Sequence, residues 1–255
     1  MARTSRRPVE AFEAIFRAIA RQTKEPLVLV GGHAVNLWAL TFADRIGDEL
    51  KAHRPLTSGD MDVYGTRNAL IALHHELGGK LLLSGPREIT DGTLILGVEP
   101  DTREIDVLRS VNGIPKIDMR DTLLLRVSGH DVPVLFPHLL LQGKLQNALH
   151  LDQDGRQDIK HVRILILVLR EFLTEVVTTA SPSNEKAALK LLQKTLAVLT
   201  SENASALNRR HPDVSFADVM PVEALRSSGL PKLAAFGHRD LPRRLAALSK
   251  LRSRS

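Results

Sequence analysis

The chain has 255 residues, a formal net charge of +6 and an apolar content of 43%, of which little is aromatic. It contains no cysteine, which excludes disulfides, thiolate zinc sites and cysteine nucleophiles and favours a reducing, cytoplasmic location. No apolar run approaches the roughly 18 residues of a membrane span, and no apolar signal core follows the basic N-terminus, so we expect neither a membrane partner nor secretion.

Residues 1–136 predict a mixed α/β domain. Apolar residues from Val9 to Ile19 recur at helical spacing, and the aliphatic run "PLVLVGG" predicts a buried strand stopped by two glycines. Residues 44–59 predict a loop or short helix. The segments that follow predict a strand in "DMDVYG", a helix in "TRNALIALHHELGG", strands in "KLLLSG", "GTLILGV" and "REIDVLRS", and a hairpin of "TLLLRV" with "VPVLF".

Residues 137–255 predict an all-helical domain. Two long helices are expected in "PHLLLQGKLQNALH" and "RQDIKHVRILILVLREFLTEV", and Ser181 is expected to cap a third, with Pro182 in its first turn. The last residues form the basic tail "LPRRLAALSKLRSRS", which either aids solubility or contacts RNA. The predicted fold class is therefore α+β, a mixed β-sheet with flanking helices followed by an all-helical C-terminal domain.

Gly31 and Gly32 lie between a predicted strand and the predicted helix "HAVNLWALTF". Glycines at such a turn let the backbone approach a phosphate, which then meets the amides of the helix N-terminus. Tight turns without a ligand use the same residues. His33 follows directly, and it either packs in the fold or reaches a ligand. Trp38, farther along this helix, is expected to be a core residue.

Asp60 and Asp62 are two residues apart at a predicted strand, so their side chains share a face. Two carboxylates placed in this way repel each other unless both are solvated or a cation lies between them. Carboxylate oxygens suit Mg²⁺ or Mn²⁺. The pair is either an exposed acidic turn or part of a metal site.

Asp106 is a carboxylate inside the otherwise apolar strand "REIDVL". A buried carboxylate must be paired or bind a metal, and here the pairing alternatives are Arg103 and Arg109. A glycine turn, two aspartates on one strand and a third aspartate on a later strand form the set needed for metal-assisted phosphoryl transfer.

At these three motifs the chain resembles the DNA polymerase β-like nucleotidyltransferase superfamily. The resemblance rests on "LVGGHAVNLWAL", "TSGDMDVYG" and "REIDVL", and it is strongest to AbiEii-type nucleotidyltransferases, which include toxins of toxin–antitoxin pairs. The segment "LLLQGKLQNALHLDQDGRQDIKHVRIL" is similar to the second half of that group. The resemblance covers roughly residues 25–172.

The resemblance implies a role for each matching residue. Asp60 and Asp62 would bind Mg²⁺ or Mn²⁺, and Asp106 would be the third carboxylate, which activates the attacking hydroxyl. The implied nucleotide contacts are Gly31 and Gly32 against the triphosphate, Ser58 on a phosphate oxygen, Lys144 neutralising phosphate charge, and Asp158 orienting Lys144 or the substrate.

The resemblance also implies transfer of a nucleotidyl group from an NTP to a hydroxyl acceptor. RNA, such as a tRNA 3′ end, is the acceptor that the basic charge favours, and a cognate antitoxin protein is an implied partner. A small molecule or a protein hydroxyl is the alternative acceptor. A non-catalytic binding or antitoxin protein is a further alternative, because His33 stands where the superfamily usually has serine. That alternative predicts that Asp106 lies away from the other two aspartates.

Overall fold

The computed structural model describes residues 6–22, 24–99 and 101–252, with side chains described up to residue 246. The chain divides into two compact units. The first contains the residues up to Thr41 together with Lys51–Gly143, and the second contains Phe42–Leu50 and the residues from Lys144 onward. The functional division predicted at residue 136 stays a prediction.

The first unit holds all the strands that the structure describes. In chain order, β1 to β9 are Arg7–Pro8, Val28–Leu29, Thr57–Ser58, Met61–Tyr64, Lys80–Leu83, Thr90–Leu96, Arg103–Leu108, Thr122–Val127 and His130–Leu135.

Twelve α-helices are described, and short 3₁₀ or π turns connect some of them. In chain order, α1 to α12 are Glu13–Arg21, Gly31–Thr41, Ala43–Ile46, Asp48–Lys51, Arg67–Leu77, Pro137–His150, Asp158–Thr178, Glu185–Leu199, Glu202–Arg210, Val222–Arg226, Pro231–Ala235 and Leu241–Arg252. None of the helices in the described ranges is long and apolar enough to cross a membrane.

Seven strands form one mixed sheet in the order β5-β6-β7-β4-β2-β9-β8. The pairs β4–β7 and β2–β9 are parallel, and the other neighbours are antiparallel. The strands β1 and β3 pair separately. The predicted α+β class with a mixed sheet, flanking helices and a helical C-terminal part is thus confirmed.

The two central strands β4 and β7 have one apolar face and one polar face. Met61, Val63, Ile105 and Val107 alternate along them and are fully buried. The residues between them point to the opposite face of the sheet, because successive side chains of a strand alternate. The apolar face therefore anchors both strands in the core and leaves the other face for polar groups.

Helix α2 is buried along nearly its whole length, as an apolar helix inside a core is. Trp38 is 1% exposed and its indole nitrogen donates a hydrogen bond of 2.9 Å to the carbonyl oxygen of Leu135 in β9. Trp38 is thus the core residue that we expected, and it ties α2 to the sheet.

Ion pairs join Phe42–Leu50 to α7 within the second unit. Arg45 donates hydrogen bonds to the carboxylates of Glu171 and Glu175, and Arg170 pairs with Glu49 at 2.6 Å. The segment predicted as loop or short helix over 44–59 contains most of α3 and all of α4, and it also contains the strand β3, which was not predicted.

The predicted cap at Ser181 is wrong. Helix α8 begins at Glu185, after Asn184. The side-chain oxygen of Asn184 accepts a hydrogen bond of 2.8 Å from the backbone N–H of Ser181, which closes a turn ahead of the helix. The basic tail predicted at the C-terminus includes residues 253–255, which lie outside the described residues.

Candidate metal centre

The side chains of Asp60, Asp62 and Asp106 come together on one face of the sheet. Each offers a carboxylate oxygen, and these three oxygens lie within 4.8 Å of one another. All three residues are half-buried, so their charges are neither fully solvated nor sealed in the core. The separation of Asp106 that the non-catalytic alternative predicted is absent.

The strand pairing explains this convergence. In the parallel pair β4–β7, Asp62 lies directly opposite Asp106, and Asp60 precedes Asp62 by two residues on the same side. Neither pairing alternative for Asp106 is present among the described residues: Arg109 binds Asp91 at 2.7 Å, and Arg103 occupies the opposite face of β7. Asp106 therefore faces the other two aspartates.

Gly31 packs directly against the carboxylate of Asp62. Gly31 has a φ of +64°, and the space that a Cβ would occupy there is filled by the Cβ, Cγ and Oδ2 atoms of Asp62. The N–H of Val30 also donates a 3.0 Å hydrogen bond to the carbonyl oxygen of Asp62. Glycine is thus required both by the backbone conformation and by the close approach of the carboxylate.

The pKa of Asp106 is raised above its ordinary value. Burial is the main cause, and the nearby negative charges of Asp60 and Glu104 add to it. A hydrogen bond from the hydroxyl of Thr93 opposes the shift in part. The carboxylate is therefore costly to ionise in the absence of a cation.

The donor set fits a hard divalent cation. Three carboxylates supply only oxygen ligands, which Mg²⁺ and Mn²⁺ prefer over the softer transition metals. Burial and the nearby negative charge of Asp60 both raise the pKa of Asp106, and a bound cation would offset both effects. Asp60, Asp62 and Asp106 are thus able to hold Mg²⁺ or Mn²⁺.

Two neighbours of this centre were missed by sequence reasoning. Thr93 lies opposite Asp106 in the antiparallel pair β6–β7, and Glu104 precedes Asp106 by two residues on the same strand face. The motif Glu104-x-Asp106 repeats the spacing of Asp60-x-Asp62, which was an available signal for Glu104. No local signal marked Thr93, because its role depends on the register between strands.

The other residues predicted around the glycine turn are buried. Gly32 lies in the first turn of α2, and Ser58 is 6% exposed in β3, paired with Arg7 of β1. His33 is fully buried, with its ring centroid 4.2 Å from that of Phe12, and burial lowers its pKa to about 4. His33 is therefore a neutral packing residue. The nucleotide contacts of Gly32 and Ser58 stay predictions.

Lys144 and Asp158 form a buried ion pair in the second unit. Their nitrogen and oxygen atoms are 2.9 Å apart, and the Asp158 side chain is only 2% exposed. Burial opposes ionisation of Asp158, but Lys144 together with Arg156, at 2.6 Å, lowers its pKa overall. This contact is the one expected if Asp158 orients Lys144. The role of Lys144 at phosphate stays a prediction.

Gly31→Ala is expected to weaken Mn²⁺ binding by about tenfold or more, because the added methyl group displaces the Asp62 carboxylate. Gly47→Ala is the matched control: Gly47 has a φ of +65° with open space at its Cβ, so this variant carries similar backbone strain without displacing a ligand. Free Mn²⁺ measured by electron paramagnetic resonance during a titration gives both affinities. Equal losses of Mn²⁺ affinity in the two variants would contradict the inference that Gly31 leaves room for the Asp62 carboxylate to bind metal.

Asp106→Asn is expected to stabilise the metal-free protein at neutral pH. The pKa of Asp106 is raised in the folded state. The Asp106 carboxyl group therefore contributes fully to stability below its unfolded pKa of about 4, and this contribution is lost as pH rises through its folded-state pKa. The advantage of the variant should therefore shrink on acidification.

Urea unfolding in the presence of EDTA, at neutral pH and near pH ~4, measures this difference. Asp240→Asn, at an exposed position, is the control for the loss of a carboxylate. A destabilised Asp106→Asn protein at neutral pH would be the contrary result.

Asp158→Asn is expected to destabilise the protein by about 3 kcal/mol, because it leaves the buried Lys144 without a counter-charge. Because the pKa of Asp158 is lowered, its stabilising contribution is present above the unfolded pKa and is lost as pH falls through the folded pKa. Chemical denaturation measures the loss. Asp213→Asn removes an exposed ion pair with Arg163 and should cost much less, so similar losses would argue against a buried pair.

No family model matches this chain, and no curated protein matches it in sequence. Among solved structures it is similar to an antigenic nucleotidyltransferase-like protein from Paracoccidioides brasiliensis, with 14% sequence identity and a TM-score of 0.46. That alignment covers 88% of this chain and 96% of the other.

Proposed function

We propose that this protein is a metal-dependent nucleotidyltransferase that moves an NMP group from an NTP to a hydroxyl acceptor. The observation that carries the proposal is the convergence of Asp60, Asp62 and Asp106 to within 4.8 Å. Three carboxylates from two adjacent strands provide an oxygen ligand set for Mg²⁺ or Mn²⁺. The glycine-led helix start beside one of them provides backbone for the phosphates.

The reaction requires a proton acceptor close to the attacking hydroxyl. Asp106 suits this role because burial and neighbouring negative charge raise its pKa, which favours proton uptake at a carboxylate oxygen. The acceptor oxygen attacks the α-phosphorus, its proton passes to Asp106, and the bond from the α-phosphorus to the pyrophosphate oxygen breaks. When bound, the divalent cation supplies positive charge that offsets the negative charge of the phosphate oxygens.

The start of α2 gives the triphosphate a place to bind. The first amides of a helix have no acceptor within the helix, and here they belong to Gly31, Gly32 and His33. Because Gly31 contacts the Asp62 carboxylate, these donors lie next to the metal ligands. A phosphate oxygen there would accept a hydrogen bond from the amide of the half-buried Gly31, beside the carboxylates that would hold the cation.

RNA, such as a tRNA 3′ end, is the acceptor that we favour. The net charge is +6, and five arginines of the second unit are exposed and make no ion pair among the described residues. These are Arg209, Arg210, Arg239, Arg243 and Arg244. Such positive charge binds the phosphate backbone of nucleic acids in a salt-dependent manner.

The motifs that resemble AbiEii-type proteins extend the proposal to a cytoplasmic, toxin-like role with a cognate antitoxin as partner. In that reading Lys144 contributes charge for phosphate and Asp158 orients it. The ion pair between them, 2.9 Å in length, supports the second part. Growth arrest on expression that is relieved by Asp60→Asn would support the toxin role.

One observation favours a non-catalytic protein of the same fold. His33 stands where the superfamily has a phosphate-contacting serine, and it is buried against Phe12, so it offers no hydroxyl. The arrangement of the three aspartates opposes this alternative, since a protein that merely keeps the fold has no need of clustered like charges. Catalysis is therefore the stronger proposal.

Incubation with α-labelled NTPs, Mg²⁺ and total RNA is expected to transfer label to RNA. Asp60→Asn and Asp62→Asn should reduce the transfer to background, because each removes a charged metal ligand. Asp131→Asn, at an exposed position in β9, is the matched control and should leave transfer unchanged.

The destination of the label separates the alternatives. Label in protein or in a low-mass fraction would support transfer to a different acceptor. Absence of transfer with every NTP and acceptor, or transfer that persists in both aspartate variants, would contradict a nucleotidyltransferase at this site.

A further inference from the structure

We propose that Thr93 is a positioning residue that holds the Asp106 carboxylate in place for metal binding. This inference rests on the proposed function, because it assigns Thr93 to the same metal centre. It is independent of which nucleotide or acceptor the protein uses. Thr93 acts through Asp106, to whose carboxylate its hydroxyl donates, and we assign it no contact with the substrate.

The contact is a direct hydrogen bond between neighbouring strands. Thr93 lies opposite Asp106 in the antiparallel pair β6–β7, and its hydroxyl donates to Oδ1 of Asp106. An ionised carboxylate only accepts hydrogen bonds, so the hydroxyl must be the donor. A carboxylate has about four lone-pair sites, so Asp106 accepts this bond and still offers an oxygen to a cation.

The strand register places Thr93 at this position. An irregularity between Thr90 and Gly92 shifts the pairing by one residue, so that Gly92 lies opposite Val107 and Thr93 opposite Asp106. Regular pairing continued from Thr90–Leu108 would instead place Gly92, which has no side-chain donor, opposite Asp106. The bulge thus directs a hydroxyl to the metal centre, as bulges next to active sites often redirect a side chain.

Repulsion among the carboxylates makes such a restraint necessary. Asp60 and Glu104 both place negative charge near Asp106, which disfavours holding its carboxylate beside them in the absence of a cation. Threonine is branched at Cβ and therefore stiff at χ1, so its hydroxyl holds a fixed direction. Gly31 supports Asp62 and Thr93 supports Asp106, so each of the two facing ligands has its own support.

Two substitutions separate this role from simple packing. Thr93→Val keeps the shape of the side chain and removes the hydroxyl, whereas Thr93→Ser keeps the hydroxyl. Thr90→Val is the matched control on the same strand, because the hydroxyl of Thr90 binds that of Ser84 at 2.9 Å rather than an aspartate. Mn²⁺ affinity is measured by electron paramagnetic resonance, and thermal unfolding without metal checks that each variant folds.

Thr93→Val is expected to weaken Mn²⁺ binding about tenfold, the lower end of the effect seen when a partner of a metal ligand is removed. Thr93→Ser should recover most of the affinity, and Thr90→Val should bind as the wild type does. Wild-type affinity in Thr93→Val, or equal losses in the valine and serine variants, would overturn the inference.

The same preparations separate this inference from the proposed function. If the wild type binds Mn²⁺ and loses affinity in Thr93→Val but transfers no nucleotide, Thr93 positions a metal ligand and the proposed reaction is wrong. If the wild type transfers nucleotide and Thr93→Val binds Mn²⁺ equally well, the reaction stands and the inference is wrong. Absence of Mn²⁺ binding in the wild type would overturn both.

Discussion

Parallel pairing of β4 with β7 brings Asp62 and Asp106 directly opposite each other, although they are far apart in the sequence. The apolar residues on the reverse face hold this register, since a slip of one residue would turn the carboxylates toward the core. The energy of hydrophobic burial therefore maintains an arrangement that electrostatics opposes. The metal centre, its supports and the proposed chemistry all depend on that pairing.

The sequence reveals those features of the site that depend on neighbouring residues. Alternation along a strand is a property of neighbouring residues, so Asp60, Asp62 and Asp106 were recognisable as polar interruptions of apolar strands. The strand and helix segments of the α/β half were recognisable for the same reason. Their convergence could be inferred from the resemblance but not from spacing alone.

The features that the sequence did not reveal depend on contacts between distant segments. Thr93 reaches Asp106 only through the register of β6 against β7, and Thr57–Ser58 becomes a strand only through pairing with Arg7–Pro8. In each case the fold brings one other segment into contact, and that contact determines the local structure.

Because Gly31 contacts Asp62, the substitutions that either position can accept depend on the residue at the other. Any side chain larger than hydrogen at residue 31 requires a residue smaller than aspartate at position 62, and such a residue lacks the carboxylate. A lineage that gave up the metal would first be free to change residue 62, and residue 31 would then be constrained by its left-handed backbone conformation alone. Among descendants of this chain, a glycine kept beside a lost aspartate is therefore the expected combination, and an aspartate kept beside a lost glycine should hardly occur.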